Sequence, residues 1–130
     1  MITDNVRHLS ERLLDFGVEV IKIVETISKS YAGRHIAGQL IRCSTSAGAN
    51  YEEACGAESR SDFIHKLQIV LKELRETAYW LKLLIKSSLL PAEKAAALLS
   101  EAGELANMIA KSIITAKRNR GKKDTLGNSK

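Results

Sequence analysis

Apolar residues recur at alternating steps of three and four between Val6 and Ile27. This seven-residue repeat predicts a first helix that buries one face against other helices. Asp4 is suited to cap its start, and the segment 28–33 predicts its end, with Gly33 available for a left-handed C-terminal turn. A second apolar set lies beside the first and requires a further partner: Leu14, Val18 and Ile21.

Weak helix formers are concentrated in the second predicted helix, which runs from about His35 to Glu58. The apolar spacing passes straight through them, which indicates a helix with small side chains on its buried face. A polar stripe lies beside that face at steps of four, four and three: Arg42, Ser46, Asn50 and Glu53. A buried polar group without a partner costs about 1–3 kcal/mol. The stripe therefore predicts a polar network with Asn50 as a buried, register-setting residue, and a functional site on this face is the alternative.

A third helix is predicted to begin near Ser59 or Ser61, with an apolar seam from Leu67 to Ile85. Its charged residues are expected to face water: Lys66, Lys72, Glu73, Arg75, Glu76, Lys82 and Lys86. Pro91 suits the first position of a fourth helix, which is expected to end near Asn119. Long helices with short connections predict an all-α fold, an antiparallel up-down-up-down four-helix bundle over residues 1–119.

The formal net charge of +5 is confined to the C-terminal end of the chain. Residues 1–116 hold 14 Lys and Arg and 14 Asp and Glu, whereas residues 117–130 hold six cations and one acidic residue. Residues 120–130 are expected to form a basic flexible tail. Five cations cluster at this end: Lys117, Arg118, Arg120, Lys122 and Lys123. They fit either an RNA-binding arm or a solvated terminus.

The sequence shows no pattern of catalytic, metal-binding or cofactor-binding residues. Its three histidines are scattered over three helices, none of them has a glutamate three positions before it, and there is no Gly-rich phosphate loop. We therefore expect a protein that is not an enzyme and holds no cofactor. Cys43 and Cys55 are expected to be buried, reduced thiols. No apolar run approaches the ~20 residues of a membrane span, so we expect a cytoplasmic protein with no membrane partner.

The second helix carries a resemblance in the order Gln39-Leu40-x-Arg42-x-Ser44-x-Ser46-x-x-x-Asn50-x-x-Glu53, followed by Ser61-Asp62-Phe63. With the long apolar third helix, this order resembles the four-helix bundle family named after the 23S rRNA intervening-sequence protein, over residues 6–119. The family's usual Ser-Ile and Ala-Glu-Gly read here as Ser46-Ala47 and Glu52-Glu53-Ala54, which indicates a divergent branch. The polar motif comprises Arg42, Ser44, Ser46, Asn50 and Glu53.

The resemblance implies a ring-like homopentamer, and the surplus apolar stripes also favour self-association. A relative, the accessory variability determinant protein of diversity-generating retroelements, forms a similar ring that engages a reverse transcriptase and nucleic acid. The resemblance thus implies structured RNA or an RNA-processing protein as a partner, with Arg34 and Arg42 as the cations nearest the motif. An oligomeric scaffold that binds a protein partner without nucleic acid is the alternative function.

Overall fold

Four α-helices and their short connections make up residues 4–120, the part of the chain that the computed structural model describes, with side chains for residues 8–119. The helices are α1 (Asp4–Val24), α2 (Tyr31–Cys55), α3 (Arg60–Lys86) and α4 (Ala92–Arg120). No strand occurs within this part of the chain. The all-α prediction is confirmed, and α4 runs one residue past the predicted end of the bundle.

The helices pack in cyclic order around one core. Helix α1 contacts α2 and α4, and α3 contacts the same two helices, so α1 and α3 occupy diagonally opposite corners. Contacts between α2 and α3 join early residues of one to late residues of the other: Arg42 reaches Glu73, and Lys66 reaches Glu53. The pair is therefore antiparallel. Helices α1 and α2 are antiparallel too, because Leu13 lies close to Gly48 and Gly17 lies close to Thr45.

The predicted apolar seams supply much of the core, although parts of the α3 seam are only half-buried. The first seam is buried from Leu9 to Ile27, three residues past the end of α1, except at Ile23, which is partly buried. In α4 the apolar residues at steps of three and four are buried from Ala95 to Ala116, whereas Ser112, at one of these steps, is half-buried. Ile113 is buried in place of Ser112, because burial of an aliphatic side chain is favourable whereas burial of a hydroxyl is not. Burial of each large side chain contributes about 1.5–3 kcal/mol, so these seams hold the bundle together.

The connection between α1 and α2 differs from the prediction. Helix α1 ends at Val24, and Gly33 lies in the first turn of α2, where it has no left-handed conformation. Ser30 caps α2, and its Oγ accepts a hydrogen bond from the Gly33 N–H at 3.1 Å. A Cβ on Gly33 would lie 2.0 Å from the Ser28 carbonyl oxygen. Glycine is needed here because the chain doubles back tightly, which leaves no room for a side chain.

The starts of the last two helices follow the sequence signals. Ser59, one of the two predicted caps, accepts a hydrogen bond from the Asp62 N–H at 3.1 Å. Pro91 directly precedes α4, where its missing N–H leaves no donor unsatisfied. Of the predicted tail, Arg120 completes α4, whereas Lys122 and Lys123 lie outside the described residues. None of the four helices is long and apolar enough to cross a membrane.

We expect Gly33→Ala to destabilise the protein by about 1–3 kcal/mol, because the added methyl group meets a backbone carbonyl that cannot move independently. Gly38→Ala is the matched control, since it lies in the same helix and a Cβ there would meet nothing within 4 Å. The control should gain about 0.4–1 kcal/mol from the lower entropy of the unfolded chain. Urea unfolding at one fixed protein concentration measures both changes, and equal effects of the two substitutions would contradict the steric argument.

Candidate functional site

The polar stripe of α2 meets a buried carboxylate on α3. Glu73 is only 6% exposed, and its two oxygens accept hydrogen bonds from Arg42 Nη1 at 3.4 Å and from Ser46 Oγ at 3.2 Å. The expectation that Glu73 faces water is therefore wrong. Its position continues the buried face of α3, since it follows Val70 by three residues and precedes Thr77 by four. That spacing, together with a cation facing it on α2, is the signal by which the sequence could have revealed it.

Arg42 is the centre of this network. Besides Glu73, its guanidinium binds Glu76 of α3, and its Nε donates to the Gln39 side chain at 3.1 Å. Glu76 also accepts a hydrogen bond from the Trp80 indole N–H at 3.0 Å. Arg42 thus has two carboxylate partners within the bundle, and its binding of nucleic acid stays a prediction. The arrangement joins two helices in a fixed register.

The remaining motif residues support the network from within α2. Asn50 is half-buried, and its Nδ2 donates to the Ser46 carbonyl at 2.9 Å and to Ser46 Oγ at 3.0 Å. It is therefore less buried than predicted and acts on the register through Ser46, which itself bonds to Glu73 of α3. Ser44 is buried, and its hydroxyl donates to the Ile41 carbonyl. Glu53 forms an ion pair with Lys66 of α3 at 2.7 Å.

The two cysteines occupy different environments. Cys43 is buried beside Thr77, whose hydroxyl lies 3.1 Å from its Sγ, and burial raises the pKa of the Cys43 thiol. Cys55 is exposed, which corrects the prediction, because it follows the buried Ala54 directly and so lies off the buried face at the end of α2. Partial burial raises the pKa of the Cys55 thiol as well, and the negative charge of Glu52 raises this pKa further. Neither thiol is thereby activated as a nucleophile.

No cluster of three or more histidine, cysteine, aspartate or glutamate residues with metal-site geometry occurs among the described side chains. His35 instead packs edge-on against Trp80, with ring centroids 6.3 Å apart. This contact joins the first part of α2 to the last part of α3. It is a packing contact between aromatic rings.

The predicted RNA-binding cations are separated by the fold. Arg34 is exposed near the start of α2, and its Nη1 donates to the Lys29 carbonyl. Lys117 and Arg118 are exposed in the last turns of α4. Because neighbouring helices are antiparallel and of similar length, these two groups lie at opposite ends of the bundle. The structure therefore does not unite Arg34 with the C-terminal cations in one site.

Two grooves flank α1. The groove between α1 and α2 has a volume of about 540 Å³ and lies beside the second apolar stripe, whose members are 63% (Leu14), 43% (Val18) and 48% (Ile21) exposed. The groove between α1 and α4 has a volume of about 570 Å³ and combines apolar walls with charges. There Arg12 forms ion pairs with Glu101 and Glu104 at 2.6 and 2.8 Å, which raise the pKa of Arg12.

Comparison with known proteins agrees with this geometry. Residues 9–111 match the family described as 23S rRNA-intervening sequence protein. The chain belongs to this family. The crystal structure of a protein of unknown function from the S23 ribosomal protein family of Bacteroides thetaiotaomicron is similar, with a TM-score of 0.76 and 33% sequence identity. The similarity covers 81% of this chain and 97% of that one. No curated protein matched the chain in the comparison.

We expect Glu73→Ala to destabilise this family member by about 1.5–3 kcal/mol, because it removes hydrogen bonds to a charged group in a buried position. Glu53→Ala is the matched control, since Glu53 also pairs with a cation across α2 and α3 but has an exposed side chain. An exposed ion pair contributes about 0–1 kcal/mol, so the control should change little. Urea unfolding compares the two, and a loss for Glu73→Ala no larger than that for the control would contradict the role of the buried network.

Proposed function

We propose that this chain is a non-enzymatic, cytoplasmic subunit of a homo-oligomer, a pentameric ring, that associates with structured RNA. The observation that carries the proposal is the apolar stripe that the isolated bundle leaves exposed on α1. Three large aliphatic side chains, Leu14, Val18 and Ile21, face outwards beside an open groove. A contiguous apolar surface of this kind is typical of a protein interface.

The surface around this stripe suits the close approach of a second copy. The floor of the groove includes Gly17, Gly48 and Ala49, whose small side chains allow a neighbouring helix to come near. Ile41 of α2 is also exposed, and the antiparallel register places it beside Ile21. Two neighbouring helices thus contribute apolar area to one face, as expected for a subunit interface.

The proposed association with RNA draws on the family, whose description refers to an intervening sequence of 23S rRNA. Assembly strengthens weak binding, because a ring presents several copies of each cationic surface to one RNA molecule. An oligomeric scaffold for a protein partner is the second candidate function. The groove between α1 and α4 favours it, since Phe16 and Leu98 lie there together with charges of both signs.

We expect the intact protein to have a mass in solution near five times 14.3 kDa, and the double variant Leu14→Glu, Val18→Glu to have a mass near 14.3 kDa. Charges on the interface would have to be desolvated on assembly, which is unfavourable. Ile114→Glu is the control, because Ile114 is an exposed isoleucine of α4 away from this face. Light scattering after gel filtration measures the masses. A monomeric wild-type protein, or an unchanged mass for the double variant, would contradict the proposed interface.

We expect the intact protein to bind a stem-loop RNA at low salt, and the dissociated double variant to bind it about 100-fold more weakly, because avidity is lost. Filter binding with the labelled stem-loop measures both affinities, and Ile114→Glu again serves as the control. If the wild-type protein retains no RNA at low salt, the proposed association with RNA is wrong. The scaffold function would then be favoured.

A further inference from the structure

The outward face of α3 is cationic along its length. Among the described residues of this helix, eight are exposed: Ser61, His65, Gln68, Lys72, Arg75, Tyr79, Lys82 and Lys86. Four of the eight are lysine or arginine, and none is acidic. The residues from position 72 onwards form what we call the basic stripe, namely Lys72, Arg75, Tyr79, Lys82 and Lys86. The balanced total charge of residues 1–116 conceals this segregation.

The basic stripe is straight and continuous. Its members follow one another at steps of three and four, so they lie on one side of the helix. The stripe spans about 21 Å, at about 1.5 Å of rise per residue. Within the described part of the chain, none of its four cations forms an ion pair, whereas Lys66 of the same helix is paired with Glu53.

The polar network explains why these cations have no partners. Glu73 and Glu76 directly follow Lys72 and Arg75 in the sequence, but both carboxylates point towards α2 and bind Arg42. Glu76 is four residues after Lys72, a spacing at which oppositely charged side chains usually pair on a helix surface. Arg42 thus occupies the acidic groups that would otherwise neutralise the stripe.

The charged residues exposed on α1 show the more usual mixture of signs. It carries Glu11, Asp15, Glu19 and Lys22, and the last two form an ion pair. Both signs of charge are present there. The contrast between the two helices indicates that the single sign on α3 is a property of that surface and does not follow from the composition of the chain.

An exposed aromatic ring lies in the middle of the basic stripe. Tyr79 is 57% exposed, and its ring meets Trp80 edge-on, with centroids 5.2 Å apart. Trp80 is in turn held by its hydrogen bond to Glu76. The contact with Trp80 therefore supports the Tyr79 ring, and cations precede and follow Tyr79 along the helix. Surfaces that bind single-stranded nucleic acid combine cations that contact the backbone with aromatic rings on which bases stack.

We propose that the basic stripe of α3 binds an unpaired stretch of RNA, with its four cations at the phosphates and Tyr79 stacked on a base. The inference rests on the proposed association with RNA and assigns a site to it. An unpaired stretch fits better than a duplex, because stacking on a side chain requires an unstacked base. The stripe also differs from the C-terminal cations, since Lys117 and Arg118 lie on a different helix, α4.

The first test neutralises three cations in each of two variants. One carries Lys72→Gln, Arg75→Gln and Lys82→Gln; the matched control carries Lys29→Gln, Lys94→Gln and Lys111→Gln, all exposed and outside α3. The probe is an unstructured RNA of about 10 nucleotides, within the usual site size of such surfaces. For the α3 variant, we expect the log–log salt dependence of binding to become shallower by about 2, at roughly 0.7 per phosphate contact. The control should bind like the wild-type protein.

The second test separates stacking from charge. Tyr79→Ala should weaken binding of the same RNA about tenfold or more without changing the salt slope, whereas Tyr79→Phe should bind like the wild-type protein. A duplex of the same sequence should bind more weakly than the single strand. Circular dichroism and light scattering should show unchanged helicity and mass for every variant, because all the substituted residues are exposed and lie outside the apolar stripe of α1.

The outcomes distinguish this inference from the proposed function. If the wild-type protein binds neither the stem-loop nor the short RNA, both are wrong. If it binds the stem-loop while the α3 variant binds the short RNA like the wild-type protein, or while the control loses as much affinity as the α3 variant, the basic stripe is wrong and the proposed function stands. Equal affinity for single strand and duplex, or no effect of Tyr79→Ala, would overturn the assignment of a stacked base.

Discussion

A carboxylate buried between two helices must be paired, and this requirement organises the contact between α2 and α3. Glu73 is removed from water, so its charge would destabilise the bundle unless donors face it. Arg42 and Ser46 supply them at fixed heights on α2, and Asn50 positions Ser46. Sliding α3 along α2 by one turn would leave Glu73 without these donors. The network therefore opposes shifts of register that small apolar side chains alone would tolerate.

The same network shapes the outer surface of α3. The helix holds six basic and three acidic residues, so a surface that exposes both signs would be the usual pattern. Here Arg42 draws Glu73 and Glu76 to the inner side, which leaves the lysines and the arginine of the outer side without acidic neighbours. A residue that forms part of the polar motif on α2 thus determines the electrostatic potential on the far side of α3. Packing and surface charge are set by one group of contacts.

The sequence predicts the helices and most of their buried faces, because each seam repeats over several turns and one misplaced residue does not change the period. It does not predict features that depend on the position of another helix. Whether Lys72 or Glu73 points inwards depends on where Arg42 lies across the interface. Likewise, glycine is needed at position 33 because the chain returns close to Ser28. The local sequence alone indicates a left-handed turn there instead. The sequence also does not show which surface charges lack a partner, since the numbers of acidic and basic residues balance over residues 1–116.

The two exposed surfaces can act together because of their positions in the bundle. Helices α1 and α3 lie at diagonally opposite corners, so a contact made through the apolar face of α1 leaves the basic stripe of α3 uncovered. In a ring, the surface that receives α1 must lie elsewhere on the neighbouring copy. The stripe is unsuited to that role, because burying four unpaired cations against aliphatic side chains would cost more than the apolar contact contributes. The receiving surface is therefore expected outside the stripe, and assembly would repeat the stripe once per subunit around the ring.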